Sequence, residues 1–236
     1  MRLKVIACEV MKEELLAEAI DNAPDFEFVP QGLHSHPEKL NMELQKILDG
    51  TRGYSRVVLA FGMCGGGARN LKAGDFVLTI PRVHDCIALL LGSRERFDEV
   101  RREEPGTLYL SAGWVKGEAP VISEYGRTAA KYGEKRAIGL LRRIYNAYRR
   151  VLFISTRSQQ NNEHNERSLE VARVLGLAHQ QTAGDPRFIR RLVNGPWDDK
   201  NFINIPPHGA VDQLSFLDGA WEEASHLEEV QSDGAI

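Results

Sequence analysis

The chain reads as an α/β protein of mostly parallel open sheets with flanking helices, arranged as two Rossmann-like βα halves. Two observations predict this. Short apolar runs that suit strands alternate with longer stretches of helical apolar spacing along most of the sequence. The 236 residues, 42% hydrophobic and 27% charged, also suffice for a full buried core. The expected division is an N-terminal α/β half over residues 1–118, a C-terminal α/β half over 119–210 and an acidic tail over 211–236.

The first strand is Leu3 to Ala7, followed by helical spacing of Leu15, Leu16, Ala19 and Ile20. Phe26 to Val29 is the second strand. Pro37, with Glu38 beside it, suits the first turn of a helix whose Leu40, Leu44, Ile47 and Leu48 form one stripe before Gly50. Val57 to Phe61 and Phe76 to Ile80 are strands separated by Gly62-Met63-Cys64-Gly65-Gly66-Gly67. Asp85 is a good N-cap type, which places Cys86 in the first turn of the next helix. Pro105-Gly106 breaks the chain before a strand from Thr107 to Leu110, which ends at Gly113-Trp114. A long basic helical stretch from Ser123 to Arg150 is broken near Gly133, and its Arg142, Arg143, Arg149 and Arg150 read as a solvated face. Val151 to Ser155 is the clearest later strand, and Glu163 to Leu175 is an amphipathic helix closed by Gly176. A strand from Leu177 to Thr182, a helix from Pro186 to Val193 and a strand from Phe202 to Ile205, stopped by Pro206-Pro207, complete the pattern.

Candidate chemistry gathers just past the strands. Cys8, Cys64 and Cys86 each follow one, and in an open parallel sheet such positions share the carboxyl edge where sites are built. Three thiolates suffice for a [4Fe-4S] cluster with one open iron, or for zinc with a position left for water, substrate or a histidine. Gly65, Gly66 and Gly67 leave backbone amides unhindered for a cluster sulfur or a substrate anion. Two other readings stay open: a nucleophilic or redox thiol, and plain burial of cysteine as a small hydrophobe. Three cysteines without a CxxC spacing do not make a disulfide framework.

Arg82 can clamp a substrate carboxylate or phosphate, and His84 can shuttle a proton or complete a metal shell. Asp85 joins them as a catalytic candidate or serves only as the helix cap. Glu9 is a candidate general base or a first-turn acid. His34 is a substrate-binding candidate, whereas His36 reads as a helix-entry residue before Pro37. Asn161, Asn162, Glu163, His164 and His208 are weaker candidates that suit turns and caps equally well. Neither nucleotide-binding glycine fingerprint occurs, nor does a G-x-S-x-G nucleophile elbow. A net charge of -3 gives no basic field, so a small-molecule substrate is the expected partner, with neither nucleic acid nor membrane and with oligomerisation open. The N-terminus carries no signal-peptide h-region, and a cytoplasmic location is expected.

Several of these segments carry a resemblance. Val5-Ile6-Ala7-Cys8-Glu9, Gln31-Gly32-Leu33-His34, Phe61-Gly62-Met63-Cys64-Gly65, Leu91-Gly92-Ser93 and Pro105-Gly106-Thr107 through Gly113-Trp114 are similar to the archaeal and bacterial family catalogued as domain of unknown function 1638. Its most specific block here is Pro81-Arg82-Val83-His84-Asp85-Cys86, and Trp197-Asp198 with Pro206-Pro207 extend the likeness to about residue 210. This chain has Met63 and Gly66 where the family pattern has an aromatic or aliphatic residue and an asparagine. The resemblance implies a setting in anaerobes rich in corrinoid methyl-transfer chemistry, and hence a corrinoid protein or methyltransferase as a partner. The expected function is that of a metalloprotein acting as a Lewis acid on a small substrate bearing a thiol, sulfide or carboxylate. The alternatives are a metal or corrinoid chaperone for methyl-transfer systems, and a metal-free transferase using Cys86 activated by His84.

Overall fold

A computed structural model describes residues 2–19, 23–156, 162–212 and 216. Asn161 and nearly all of the acidic tail lie outside the described residues. β1 (Leu3–Cys8) passes through one 3-10 turn (Glu9–Met11) into α1 (Lys12–Glu18), and β2 (Asp25–Val29) through another (Gln31–Ser35) into α2 (Pro37–Gly50). β3 (Arg56–Ala60), the 3-10 turn Cys64–Gly66, β4 (Val77–Pro81), α3 (Cys86–Leu91) and α4 (Arg94–Glu103) follow. Next come β5 (Thr107–Ser111), α5 (Ala112–Lys116), α6 (Pro120–Tyr132) and α7 (Glu134–Ile144). The described chain continues with β6 (Arg150–Ser155), α8 (Asn162–Leu175), β7 (Ala178–Ala183), α9 (Arg187–Asn194) and β8 (Phe202–Ile205). The expected break at Gly133 is present, and Pro37 occupies the first turn of α2.

Two sheets form among the described residues: a five-stranded sheet in the order β2-β1-β3-β4-β8 and a three-stranded sheet in the order β5-β6-β7. All pairings are parallel except β4 with β8. Val5, Ile6 and Ala7 in β1 and Val57, Val58 and Leu59 in β3 are fully buried, as a parallel strand covered on both faces requires. Sheet membership cuts across a division at residue 118. β5 pairs with β6, and β8 returns to the edge of the large sheet. Apolar patterning marks a strand but carries no local signal for its partner, so this pairing lies beyond the reach of periodicity. An internal network holds β8 in place: Arg56 donates to Thr79 and, at 2.8 Å, to Asn204 Oδ1, while its guanidinium lies over the Trp197 ring at 4.7 Å.

The sheets share their packing through β6. Leu152 and Ile154 belong to the core of the large sheet, and Val151 and Phe153 to that of the small one. Strand alternation alone produces this split. Two further ties join the carboxyl edges, Thr156 Oγ1 donating to the buried Glu14 (3.0 Å) and the Asp185 N–H donating to the Leu90 carbonyl (2.9 Å). No described helix is long and apolar enough to cross a membrane.

Candidate functional site

In the large sheet the chain places β2 on one side of β1 and β3 on the other, so the strand order reverses between β1 and β3. A crevice opens at the carboxyl ends of strands at such a reversal. Cys8 ends β1, Cys64 lies in the turn after β3, and Cys86 opens α3 after β4. All three are buried, Cys64 most exposed at 9%.

The two loops carrying Cys64 and Cys86 are clamped together by backbone. The N–H groups of Met63 and Cys64 donate to the carbonyls of Val83 (3.2 Å) and His84 (3.0 Å). This contact needs glycine at position 62, because a Cβ there would stand 2.4 Å from the His84 carbonyl oxygen. Cys64 itself is held at φ 43°, in the left-handed region. For a residue with a side chain such a conformation costs on the order of 1–3 kcal/mol, and it persists where surrounding contacts determine it.

A histidine and a tryptophan from other elements close around the sulfurs. His34 Nε2 is 3.2 Å from Cys8 Sγ, and its ring packs against Trp114 at 5.3 Å between centroids. The Gln31 N–H donates to Glu9 Oε2 (3.4 Å), tying the His34 turn to the turn after Cys8. Trp114 comes from α5, in the unit built on the small sheet, and α5 is seated by Gly113, where a Cβ would lie 2.0 Å from the Val10 carbonyl oxygen.

Burial pushes the Cys8 thiol up to about 11, opposed by the N–H of Val10, with Glu9's charge adding to the rise. Burial raises Cys64 and Cys86 further; the negative charge of Asp85 comes next for both, then that of Cys8 for Cys64, and of Cys64 and Cys8 for Cys86. Burial lowers the His34 imidazole, against the pull of Asp85, so the site rests as neutral thiols beside a neutral ring. The electrostatic cost of ionising the sulfurs is the kind that a bound cation removes.

Asp85 caps α3 as its sequence position suggests, its Oδ1 accepting the Ile87 N–H at 2.8 Å. Its other oxygen is 3.6 Å from His84 Nδ1. Asp85→Ala should cost about 1 kcal/mol through the lost cap, whereas Asp85→Asn keeps the cap and should cost less. Both remove the charge that opposes thiolate formation, so Cys64 and Cys86 should alkylate faster at a given alkaline pH. Urea unfolding and mass spectrometry of alkylated protein check the pair of outcomes.

The remaining sequence candidates fall into two groups. His34, His84 and Asp85 gather around the cysteines. Arg82 turns its Nε to the backbone, donating to the carbonyls of Asp199 (2.9 Å) and Phe202 (3.3 Å). Gly67 is buried, with its carbonyl accepting from Asn41 Nδ2 at 3.0 Å and Leu40 filling the space where a Cβ would go. Gly65 is exposed and Gly66 is intermediate. Among the described residues, no group of three or more His, Cys, Asp or Glu side chains is arranged as the ligand set of one metal ion. Sequence reasoning left Trp114, Gly62 and Gly113 without a site role. The one signal for them was glycine or tryptophan immediately past a strand end.

The class of protein is thus an α/β protein with three buried cysteines at the carboxyl ends of strands around a strand-order reversal. A family described as protein of unknown function (DUF1638) matches residues 28–193, and the chain belongs to that family. Comparison with curated proteins and with solved structures gives no significant match.

Proposed function

We propose that the protein is a metalloprotein whose Cys8, Cys64 and Cys86 hold a [4Fe-4S] cluster with one iron left for a small substrate bearing a thiol, sulfide or carboxylate. The observation that carries this reading is the burial of three thiols at the carboxyl ends of the adjoining strands β1, β3 and β4. The cluster is preferred to zinc because no described set of His, Cys, Asp or Glu is arranged around one ion. Three sulfurs on a single zinc stand about 3.8 Å apart, as bonds of about 2.3 Å in a tetrahedron require. A cubane takes its ligands at different corners and so accepts sulfurs set further apart.

When bound, the cluster would supply Lewis acidity toward the substrate. The protein's own groups would do the rest. His34, neutral and 3.2 Å from the Cys8 sulfur, is the nearest group able to take or give a proton. The half-buried His84–Asp85 pair is a second. The Glu9 carboxylate is engaged with the Gln31 amide and supports the turn that carries His34. Arg82 keeps the segment leading into β8 against the loop before Cys86.

Anaerobic purification with iron, sulfide and spectroscopic analysis tests the reading. Each of Cys8→Ser, Cys64→Ser and Cys86→Ser should lower iron and sulfide together to a small fraction of the parent's content, with the circular dichroism preserved. Full retention of iron in any one variant overturns the three-cysteine ligand set.

The His34–Cys8 contact also favours a second reading, a metal-free thiol nucleophile. It would be Cys8, because the imidazole next to Cys86 in sequence is the one paired with Asp85. Selective alkylation of Cys8, suppressed in His34→Ala, would mark it.

A further inference from the structure

Parallel strands are ordinarily covered on both faces and read as continuous apolar runs. β6 follows that rule and β7 does not. The segment Ala178-His179-Gln180-Gln181-Thr182-Ala183 carries no large apolar side chain, and its Ala178, Gln180, Gln181 and Ala183 are exposed, so both faces of the strand meet solvent. The strand is nevertheless held in place. Gln180 Oε1 accepts from Arg150, and His179 Nε2 lies 2.8 Å from the fully buried Ser168 Oγ of α8. β7 is also an outer strand of the small sheet. The N–H groups of Ala178 and Gly184 donate to the Arg149 (3.1 Å) and Ser155 (2.8 Å) carbonyls on the β6 side. With a period of two, the even positions bond β6, and the N–H and C=O of His179, Gln181 and Ala183 point out from the edge. Free strand edges recruit other strands, and they are usually blunted by charge, shortness or cover. The other sheet edges follow that pattern: β2 carries Asp25 and Glu27, β8 has four residues, and β5 is buried or half-buried throughout. β7 has six residues with neither charge nor proline.

We infer that β7 is the seat of a symmetric dimer, in which the edge strands of two copies of this chain pair antiparallel and join the two small sheets into one. The strand is complementary to itself. A two-fold axis at Gln181 sets that residue opposite its own counterpart and His179 of one protomer opposite Ala183 of its partner, each pair exchanging two hydrogen bonds. No like charges meet, and opposed glutamine side chains can bond amide to amide. α8 agrees with the same axis. It connects two parallel strands and so runs antiparallel to β7, and its 14 residues span about the same 20 Å as the 6 of β7. Arg167, Val171 and Val174 of α8 line a recess with Val121 and Tyr125 of α6. The opposite flank, toward the free edge, carries Glu166, Leu169 and Arg173 at helical spacing. Glu166 and Arg173 are exposed. Two α8 helices related by the axis run antiparallel, which turns the Glu166 end of one flank toward the Arg173 end of the other, with Leu169 between them.

Sedimentation velocity of the full chain tests the pairing. The parent should sediment at twice the 26.5 kDa of one chain. Gln181→Lys places two like charges opposite one another at the axis and should weaken the dimer by about 100-fold or more, giving a monomer with an unchanged circular dichroism spectrum. Gln181→Pro removes an outward N–H and no bond to β6, a position at which an edge strand tolerates proline, and should have the same effect. Gln181→Thr, neutral and suited to strands, should remain dimeric. The amides of His179, Gln181 and Ala183 should exchange slowly in the parent dimer and rapidly in Gln181→Lys. A parent that stays monomeric up to its highest soluble concentration overturns the inference. So does a dimer that survives Gln181→Lys, because copies would then be joined through another face.

Discussion

Gly62→Ala should lower stability by about 2–4 kcal/mol, from overpacking and the strain on two backbone hydrogen bonds, and, on the proposed function, should also lose iron and sulfide. The alanine Cβ would meet the His84 carbonyl oxygen at 2.4 Å, its carbon at 2.5 Å and the Asp85 nitrogen at 2.6 Å, all of them backbone, and must reach at least 3.0 Å from each. No side-chain rotation relieves that overlap. The loops must part, and the bonds from Met63 to Val83 and from Cys64 to His84 lengthen with them. Because Cys64 and Cys86 ride on these two loops, the sulfurs separate in the same motion. Gly126→Ala provides the control. Position 126 lies inside α6 with nothing within 4 Å of its added Cβ, so that variant should gain about 0.5–1 kcal/mol from helix propensity and keep its metal. Urea unfolding and iron analysis of the two variants side by side make the comparison. Full metal content in Gly62→Ala would mean that the loop clamp does not set the site.

The contrast between Gly62 and the cysteines shows what the sequence makes legible. Continuous apolar runs such as Val57–Phe61, bounded by turn residues, announce strands without knowledge of their neighbours, and a cysteine just beyond one is placed at the sheet edge by connectivity alone. Asp85 was readable for the same reason, since an N-cap acts on amides two residues away. Gly62, Gly113 and Trp114 act on His84, Val10 and His34, contacts that exist only once β1, β3, β4 and α5 are assembled. Nor does local pattern tell that β5 would leave the large sheet or that β8 would join it, because both sheets offer an edge to an apolar strand. The basic stretch misleads in an instructive way. Four arginines near residues 142–150 look like one solvated face; Arg142, Arg143 and Arg149 are exposed, but Arg150 is 8% exposed at the start of β6.

Arg150→Met should cost about 2–4 kcal/mol, because one side chain supplies charged donors to three elements at once. Its guanidinium donates to Thr107 Oγ1 in β5 (2.8 Å), Gln180 Oε1 in β7 (2.6 Å) and the Val100 carbonyl of α4 (3.0 Å). One side chain thus fastens all three strands of the small sheet to a helix that packs beside the large one. Methionine keeps the aliphatic bulk but leaves the buried Thr107 hydroxyl and Val100 carbonyl without this donor, each worth about 1–3 kcal/mol, while the exposed Gln180 turns to water. Arg150→Lys should fall between the two, since an ammonium cannot reproduce the planar fork that reaches three separate elements. Chemical denaturation ranks the series. Because β6 contributes Leu152 and Ile154 to one core and Val151 and Phe153 to the other, loss of the small sheet uncovers apolar surface of the large one, and the transition of Arg150→Met should remain single at a lower midpoint. Two transitions, with hydrogen-exchange protection in β1 and β3 outlasting the first, would show instead that the large sheet stands without its neighbour. In that case α5 and its Trp114 would leave the thiol site before the cysteines themselves unfold.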